Sequence, residues 1–355
     1  MGSESGKEAM NDARRVMIFT EHFNATYFIS FDIPLRSMRE QGKVRLRAFS
    51  QQDVVIGGSG CWRTWMDEFS PEVVLMTRYG DASGVEIVRD CKVRGVPVVY
   101  HIDDDLLDLP PSLGAEINKR QGAAVEARRA MLGEVDLIYA STAMLADVMR
   151  RYFPGQRIFH GIYASYQPVT TYIADLDRPV TIGYMGSKGH REDLDLVVPA
   201  LVRLMHERPT LRFETFGTIQ MPEVMQQFGS RVRHYNVQKS YHEFLQTLAS
   251  LGWHLGLAPL VDEPFNRCKA PTKYIEYTSC DIPVVASDVV VYAGAIAEGA
   301  GVLVREDWYG AIACLLDDPR GRAMQLDAAR AHCAVAFAPE ALEAQVMGLI
   351  DKEPL

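Results

Sequence analysis

The chain has 355 residues, 48% hydrophobic and 23% charged, enough for two domains of ordinary size that each bury a core. A net charge of −9, with no basic block to offset it, argues against a nucleic-acid binder. Six cysteines (Cys61, Cys91, Cys268, Cys280, Cys314 and Cys333) form no C-x-x-C pair and read as reduced thiols, and no run of about 18 apolar residues marks a membrane span.

Residues 1–13 are small and polar and read as a disordered lead-in. They lack the charged-then-apolar order of a signal peptide, and Gly6 stands where a myristoylation motif needs Ser or Thr. From 14 to 168 apolar runs alternate with helical patterns. The strand-like runs are Val16 to Thr20, Val44 to Phe49, Glu72 to Met76, Val96 to His101 and Val135 to Ala140. Helical spacing is clearest at Val85 to Arg94, Ala115 to Leu132 and Thr142 to Tyr152, the last capped by Ser141-Thr142. Residues 169–179 carry little periodicity and read as a linker.

A second alternating series fills 180–338. Its strands are Val180 to Met185, Leu211 to Phe216, Arg231 to Tyr235, Trp253 to Ala258, Pro283 to Ala286 and Gly301 to Val304. Its helices are Asp193 to Glu207, Tyr241 to Leu251, Trp308 to Leu316 and Gly321 to Phe337, and a last helix from Pro339 to Ile350 lies in 339–355. Strands alternating with helices in both halves predict two doubly wound parallel sheets.

In such sheets ligands bind outside the carboxyl ends of the strands, so the loops there are the places to look. After Met185 comes Gly186-Ser187-Lys188-Gly189-His190, two glycines, a hydroxyl and two potential cations before a helix. That suits a diphosphate, although the spacing is neither a dinucleotide fingerprint nor a P-loop, and an ordinary Gly-rich turn explains it too. Gly217 follows Phe216, and Asn236 and Val237 follow Tyr235. The loop with most chemistry is Asn266-Arg267-Cys268-Lys269, which runs into Pro271 and a helix carrying Thr272, Lys273 and Glu276. A helix N-terminus with Arg267, Lys269 and Lys273 beside it is an anion site, and Glu276 is about one turn further on, within reach of a ribose diol.

In the first half, His101-Ile102-Asp103-Asp104-Asp105 closes a strand. Its carboxylates have three readings: holding acceptor hydroxyls, acting as a general base, or ligating a divalent metal, against which no second acidic cluster is evident. The loop from Glu21 to Phe28, with Phe23, Asn24 and Tyr27, mixes aromatic and polar groups as a carbohydrate platform does, and Arg78 after the third strand invites the same reading. No hydrolase elbow, H-E-x-x-H or kinase set is present.

The unit from Trp253 to Tyr292, with Ile282-Pro283-Val284-Val285-Ala286-Ser287 and Glu276, resembles the donor-binding core of GT-B glycosyltransferases. The likeness is to the family-4-like enzymes (glycosyl transferases group 1) of bacterial polysaccharide biosynthesis. Asp281 stands where that family usually has Gly, and Cys268 where it often has a first Glu eight residues before the second. The resemblance implies an α/β protein of GT-B fold, two Rossmann-like doubly wound parallel-sheet domains facing a cleft. An acceptor domain would span 14–168 and a nucleotide-sugar donor domain 180–338, with the last helix packing back on the first domain. It implies transfer of a sugar from a nucleotide diphosphate-sugar donor to a hydroxyl acceptor, a saccharide or glycolipid, in glycoconjugate assembly. Gly186, Ser187, Arg267, Lys269, Thr272 and Lys273 would hold the diphosphate, and Gly217, Asn236, Val237 and Glu276 the nucleoside. His101, Asp103 or Asp104 would position or deprotonate the acceptor on Phe23, Asn24, Tyr27 and Arg78. No metal or other cofactor is expected. The reduced thiols read as those of a cytoplasmic protein; peripheral association with the inner face of the plasma membrane would need a basic amphipathic helix, and Arg14-Arg15 and the 119–129 helix offer some charge for that, with acidic residues interspersed. Two rivals stand beside it. A nucleotide-sugar epimerase has the same fold but needs no acceptor platform, and a non-catalytic nucleotide-sugar-binding protein would fit the missing first Glu.

Overall fold

The computed structural model describes residues 13–110, 115–170, 179–236 and 240–351. The chain forms two compact units: the described part of Met1–Tyr163 with Cys268–Ala270 and Pro339–Leu355, and Ala164–Arg267 with Pro271–Ala338. Residues 1–12 of the expected lead-in, most of the expected linker and Val237 lie outside the described residues.

In the first unit six parallel strands, β1 (Arg14–Thr20), β2 (Val44–Ser50), β3 (Val73–Thr77), β4 (Val98–Ile102), β5 (Leu137–Ala140) and β6 (Ile158–His160), pair in the order β2-β1-β3-β4-β5-β6. The near-continuous buried runs of β1, β3, β4 and β5 are those of a sheet covered on both faces. Alternate residues serve the two faces. Met17, Phe19, Val74, Met76, Val98 and Tyr100 enter one core, and Val16, Ile18, Val73, Leu75, Val99 and Tyr139 the other. The second of these cores also takes in Leu342, Val346, Leu349 and Ile350 of the last helix, Pro339–Ile350. Residues 319–350 are long and apolar enough in composition to span a membrane, yet the stretch is two helices that meet at Phe337-Ala338, and the second is packed on this sheet. The edge strand β6 was not expected: two half-buried residues and an exposed one carry no readable period.

The second unit holds β7 (Thr181–Gly186), β8 (Arg212–Gly217), β9 (Val232–Tyr235), β10 (Leu255–Ala258), β11 (Val284–Ser287) and β12 (Val302–Val304), again all parallel, in the order β12-β11-β10-β7-β8-β9. All eleven expected strands are present, and none begins more than two residues from its expected start. The helix expected over Asp193 to Glu207 is two, α1 (Arg191–Asp195) and α2 (Val198–Glu207). Pro199 lacks the N–H that a helix interior requires, so it fits only in the first turn of a new helix. Two further helices matter to the site, α3 (Tyr241–Leu251), opened by a Ser240/Glu243 capping box, and α4 (Thr272–Ser279).

Both strand orders reverse once. In each doubly wound sheet that reversal opens a crevice at the carboxyl ends of two strands, where ligands bind. In the first unit the strands are β1 and β3; in the second they are β7 and β10.

Candidate functional site

At the reversal in the first unit, the loops after β1 and β3 are joined by the Glu21 amide bonding to Thr77 O at 3.1 Å. Arg78 follows in a left-handed backbone conformation (φ 54), uncommon for a residue with a side chain, and this turns its guanidinium back across the strand ends. One nitrogen donates to Asp103 Oδ1 at 2.6 Å and lies 3.4 Å from Asp104 Oδ2; Nε reaches Glu21 at 3.3 Å. Arg128, only 1% exposed, donates to Glu21 at 3.1 Å and to the Arg78 carbonyl, which fixes the strained turn from behind. Lys269, from the tripeptide that belongs to this unit, lies 3.3 Å from Asp104 Oδ1. Three cations therefore meet three carboxylates. Burial alone would lower the Arg78 pKa, but Asp103, Asp104 and Glu21 outweigh it and raise it.

The three consecutive carboxylates divide their work. Asp103, nearly buried, also accepts from Thr26 at 2.7 Å and Tyr163 at 3.3 Å, so its oxygens are largely occupied. Asp104 is the more accessible, with 23% of its side chain exposed between Arg78 and Lys269. Asp105 turns away and accepts from the Leu107 amide and the Tyr152 hydroxyl. Because β4 ends at Ile102, Asp103 and Asp104 are free of strand alternation and both reach one guanidinium.

His101 lies inside the end of β4. It has no exposed surface; Phe31, Tyr139 and Tyr163 surround its ring, and Nδ1 pairs with Thr77 Oγ1 at 3.0 Å. Burial lowers its pKa to about 4, Asp103 opposing and Arg78 reinforcing, so the ring is neutral at pH 7. Of the expected platform, Phe23 is 45% exposed, whereas Tyr27 is buried edge-on against Phe23 and Phe28, and the Asn24 side chain caps the short turn of helix by accepting from the Tyr27 amide. A buried ring and a capping amide have structural partners already, which leaves Phe23 as the exposed aromatic face.

In the second unit the loops after β7 and β8 are locked together. The amides of Thr218 and Ile219 both bond to the Gly186 carbonyl at 3.1 Å. Gly217 has φ 123, and a Cβ there would lie 2.2 Å from that same carbonyl oxygen, so only glycine fits. Ser187 closes the turn by accepting from the His190 amide at 3.1 Å. His190 Nδ1 lies 2.6 Å from Asp193 Oδ2, and the other oxygen of Asp193 accepts from the Val261 amide after β10 at 2.8 Å, with Asn266 Nδ2 at 3.4 Å. Burial would raise the Asp193 pKa, but the His190 and Val261 bonds and the Lys273 charge hold it below the usual carboxylate range.

Helix α4 supplies the remaining groups. Its first residue is Thr272, after Pro271 at the cap position. Lys273 projects over the Tyr184 ring, 5.9 Å from its centroid, and acts on both Asp193 and Glu276. Glu276 is 8% exposed and accepts from Tyr241 of α3 at 2.8 Å. Burial pushes its pKa up to about 7 against the Tyr241 bond and the Lys273 charge. Of the cations expected beside Lys273, Arg267 and Lys269 each have a carboxylate partner. Arg267 is pinned to Asp262 by two hydrogen bonds of 2.6 and 2.9 Å on the surface, and Lys269 belongs to the first unit with Asp104. Gly186, Ser187, Lys273 and Glu276 are gathered around the β7–β10 reversal; Asn236 stands at the end of β9 beside His234. Tyr241, Asp193 and His190 complete the set, and of these only His190 lay within a stretch singled out in the sequence. Among the described residues no group of three or more His, Cys, Asp or Glu side chains is gathered as a metal would need.

Two six-stranded parallel Rossmann-like sheets, each with one reversal, define the GT-B fold. No protein-family model matches the sequence, and no curated protein does. Among solved structures the chain is similar to sucrose-phosphate synthase from Thermosynechococcus elongatus, with a TM-score of 0.69 and 14% identity over 95% of this chain and 98% of that one. It is similar to HepE of Anabaena, solved in complex with UDP-glucose, with a TM-score of 0.65 and 14% identity over 94% and 98%. WaaG, a glycosyltransferase involved in lipopolysaccharide biosynthesis, aligns with a TM-score of 0.63 and 13% identity over 94% and 98%. At these identities the likeness is one of fold, over nearly the full length of each chain.

Proposed function

We propose that this chain is a glycosyltransferase, hexosyltransferase-like, that moves a sugar from a nucleotide diphosphate-sugar to a hydroxyl acceptor. The observation that carries the reading is Glu276: a buried carboxylate at the strand-reversal crevice of the second unit, held by Tyr241 with Lys273 beside it. A carboxylate that accepts from a diol and a cation placed for a diphosphate are what a nucleotide asks of such a crevice. Glu276 takes the ribose hydroxyls; Lys273 and the Gly186-Ser187 turn take the diphosphate and stabilise the charge it gains as it leaves. In the first unit Phe23 stacks on the acceptor, Arg78 orients it, and Asp104, the exposed carboxylate of its cluster, accepts the hydroxyl proton. No residue of this scheme requires a metal. The similarity to HepE and WaaG supports a nucleotide-sugar donor and a role in glycoconjugate assembly. We assign the chain on that role to the cytoplasm, peripheral to the inner face of the plasma membrane.

Thermal-shift measurement against UDP, GDP, ADP, CMP and dTDP tests the reading. A ligand at a hundred times its Kd stabilises by about 2.7 kcal/mol, so one nucleotide should stand out. A flat response to all five would reduce the proposal to a shared fold.

A further inference from the structure

Between β7 and α1, one histidine is held in a way that a plain Gly-rich turn does not need. His190 Nδ1 lies 2.6 Å from a carboxylate that is 4% exposed, and that carboxylate is itself fixed by the Val261 amide and Asn266. A carboxylate kept ionised only accepts, so Nδ1 carries a proton and the ring presents Nε2 as the nitrogen that gains or loses one. The His190 side chain remains 20% exposed at the carboxyl end of β7.

From this geometry we infer that the His190–Asp193 pair couples occupancy of the donor crevice to protonation: His190 Nε2 takes up a proton when a nucleoside diphosphate binds, and the imidazolium then holds that anion. The inference rests on the donor reading above. No covalent step is involved; one proton passes from solvent to Nε2 and returns when the diphosphate leaves. Nucleotide is therefore retained more firmly in acid and released more readily as pH rises.

On the pair's own segment stand Lys188, Arg191, Glu192 and Asp195, with Arg191 and Asp195 paired to each other. From β7, the Tyr184 hydroxyl donates to the His190 carbonyl at 3.3 Å. From α4, Lys273 acts on Asp193, with Glu276 one turn further along, and Tyr292 faces Asp193 from the segment after β11. Tyr184 and Tyr292 are driven by burial to pKa values above their ordinary range and stay neutral. Glu276 and the terminal phosphate of the nucleotide titrate near the same pH, so the measurement is a comparison of two proteins that share both.

UDP is titrated calorimetrically into wild type and His190→Gln from pH 6 to 8.5, in buffers of different ionisation heat. Wild type is expected to take up more protons per UDP bound than H190Q. Its Kd should rise over this range by about tenfold more than that of the variant, the factor that one proton taken up with the ligand gives across about one pH unit. Asp193→Asn, checked first for folding by its unfolding temperature, should reduce the same difference. Equal proton uptake and parallel pH profiles in wild type and H190Q would overturn the inference and leave the donor site standing. Absence of UDP binding by wild type at every pH, with the other nucleotides equally silent, would take down the donor reading and this inference with it.

Discussion

The hydroxyl of Tyr277 accepts from the Met185 amide at 2.9 Å and donates to the Leu257 carbonyl at 3.1 Å. Met185 belongs to β7 and Leu257 to β10, the two strands that part at the reversal of the second sheet. Their ladder pairs only Leu255 with Ile182 and Gly256 with Gly183; past that point the phenol stands in for the next rung. The splay that makes a crevice is thus held open by a side chain from α4, the helix that also carries Lys273 and Glu276.

Replacing Tyr277 by Phe keeps the ring and strands two buried backbone groups. Each costs about 1–3 kcal/mol when unpaired, so a loss of about 3 kcal/mol is expected in denaturant unfolding. A loss under about 0.5 kcal/mol would mean that the strands close the gap themselves.

Glu276 links stability to pH. Its folded pKa of about 7 lies above the ordinary 4.5, so between those values the folded protein holds a proton that the unfolded chain has lost. Stability from this group is full below about pH 4.5 and falls as pH rises to about 7. Glu276→Gln fixes the uncharged form. The variant should match wild type near pH 5 and exceed it by about 2 kcal/mol at pH 8, while losing nucleotide binding. Unfolding curves of the two proteins that stay parallel from pH 5 to 8 would contradict the raised value.

Arg78 is the centre of a balanced cluster, and removing it strands Asp103, which is buried. Arg78→Met should cost about 3 kcal/mol, the range for breaking one side of a buried pair. Adding Asp103→Asn should return about 1 kcal/mol, since the unpaired charge is then gone. If the double variant is less stable than R78M alone, the bonds from Thr26 and Tyr163, not the guanidinium, dominate at Asp103.

How much of this could be read beforehand depends on range. Strands and their order of appearance are local: buried parallel strands are short apolar runs, and Val284-Val285-Ala286-Ser287 after Pro283 is legible as such. The loops at their carboxyl ends follow from topology alone. Partner choice is not local. Asp103 is met by Thr26 and Tyr163, 77 and 60 residues away, and Glu276 by Tyr241, 35 residues away, and no spacing encodes either pairing. The partners of the run Asn266 to Lys273 are distant for the same reason. Neighbouring cations look like one phosphate site, yet Arg267 folds back on Asp262 while Lys269 meets a carboxylate 165 residues earlier. His101, at a strand end, read as a neighbour of the reacting centre, and its burial was not legible; the π-helical turn Phe28–Asp32 places Phe31 over it and closes it in.

Asp281 follows the last turn of α4 in a left-handed backbone conformation. The Ile282 amide bonds back to the Tyr277 carbonyl at 2.9 Å and the Asp281 amide to Thr278 at 3.2 Å, a Schellman end with Asp281 at φ 61. A side chain in that conformation is strained, and Arg330 offsets the strain with a 2.7 Å pair whose partners are 37% and 55% exposed, worth little in water. Backbone relief should therefore outweigh the lost pair: Asp281→Gly is expected to gain about 0.5 kcal/mol. Asp281→Ala loses the pair, keeps the strain, and should fall about 1 kcal/mol below wild type. If Gly and Ala destabilise alike, the Arg330 contact holds this helix end and the left-handed turn is incidental; if Gly gains where Ala loses, the turn sets the exit from the helix that carries Glu276.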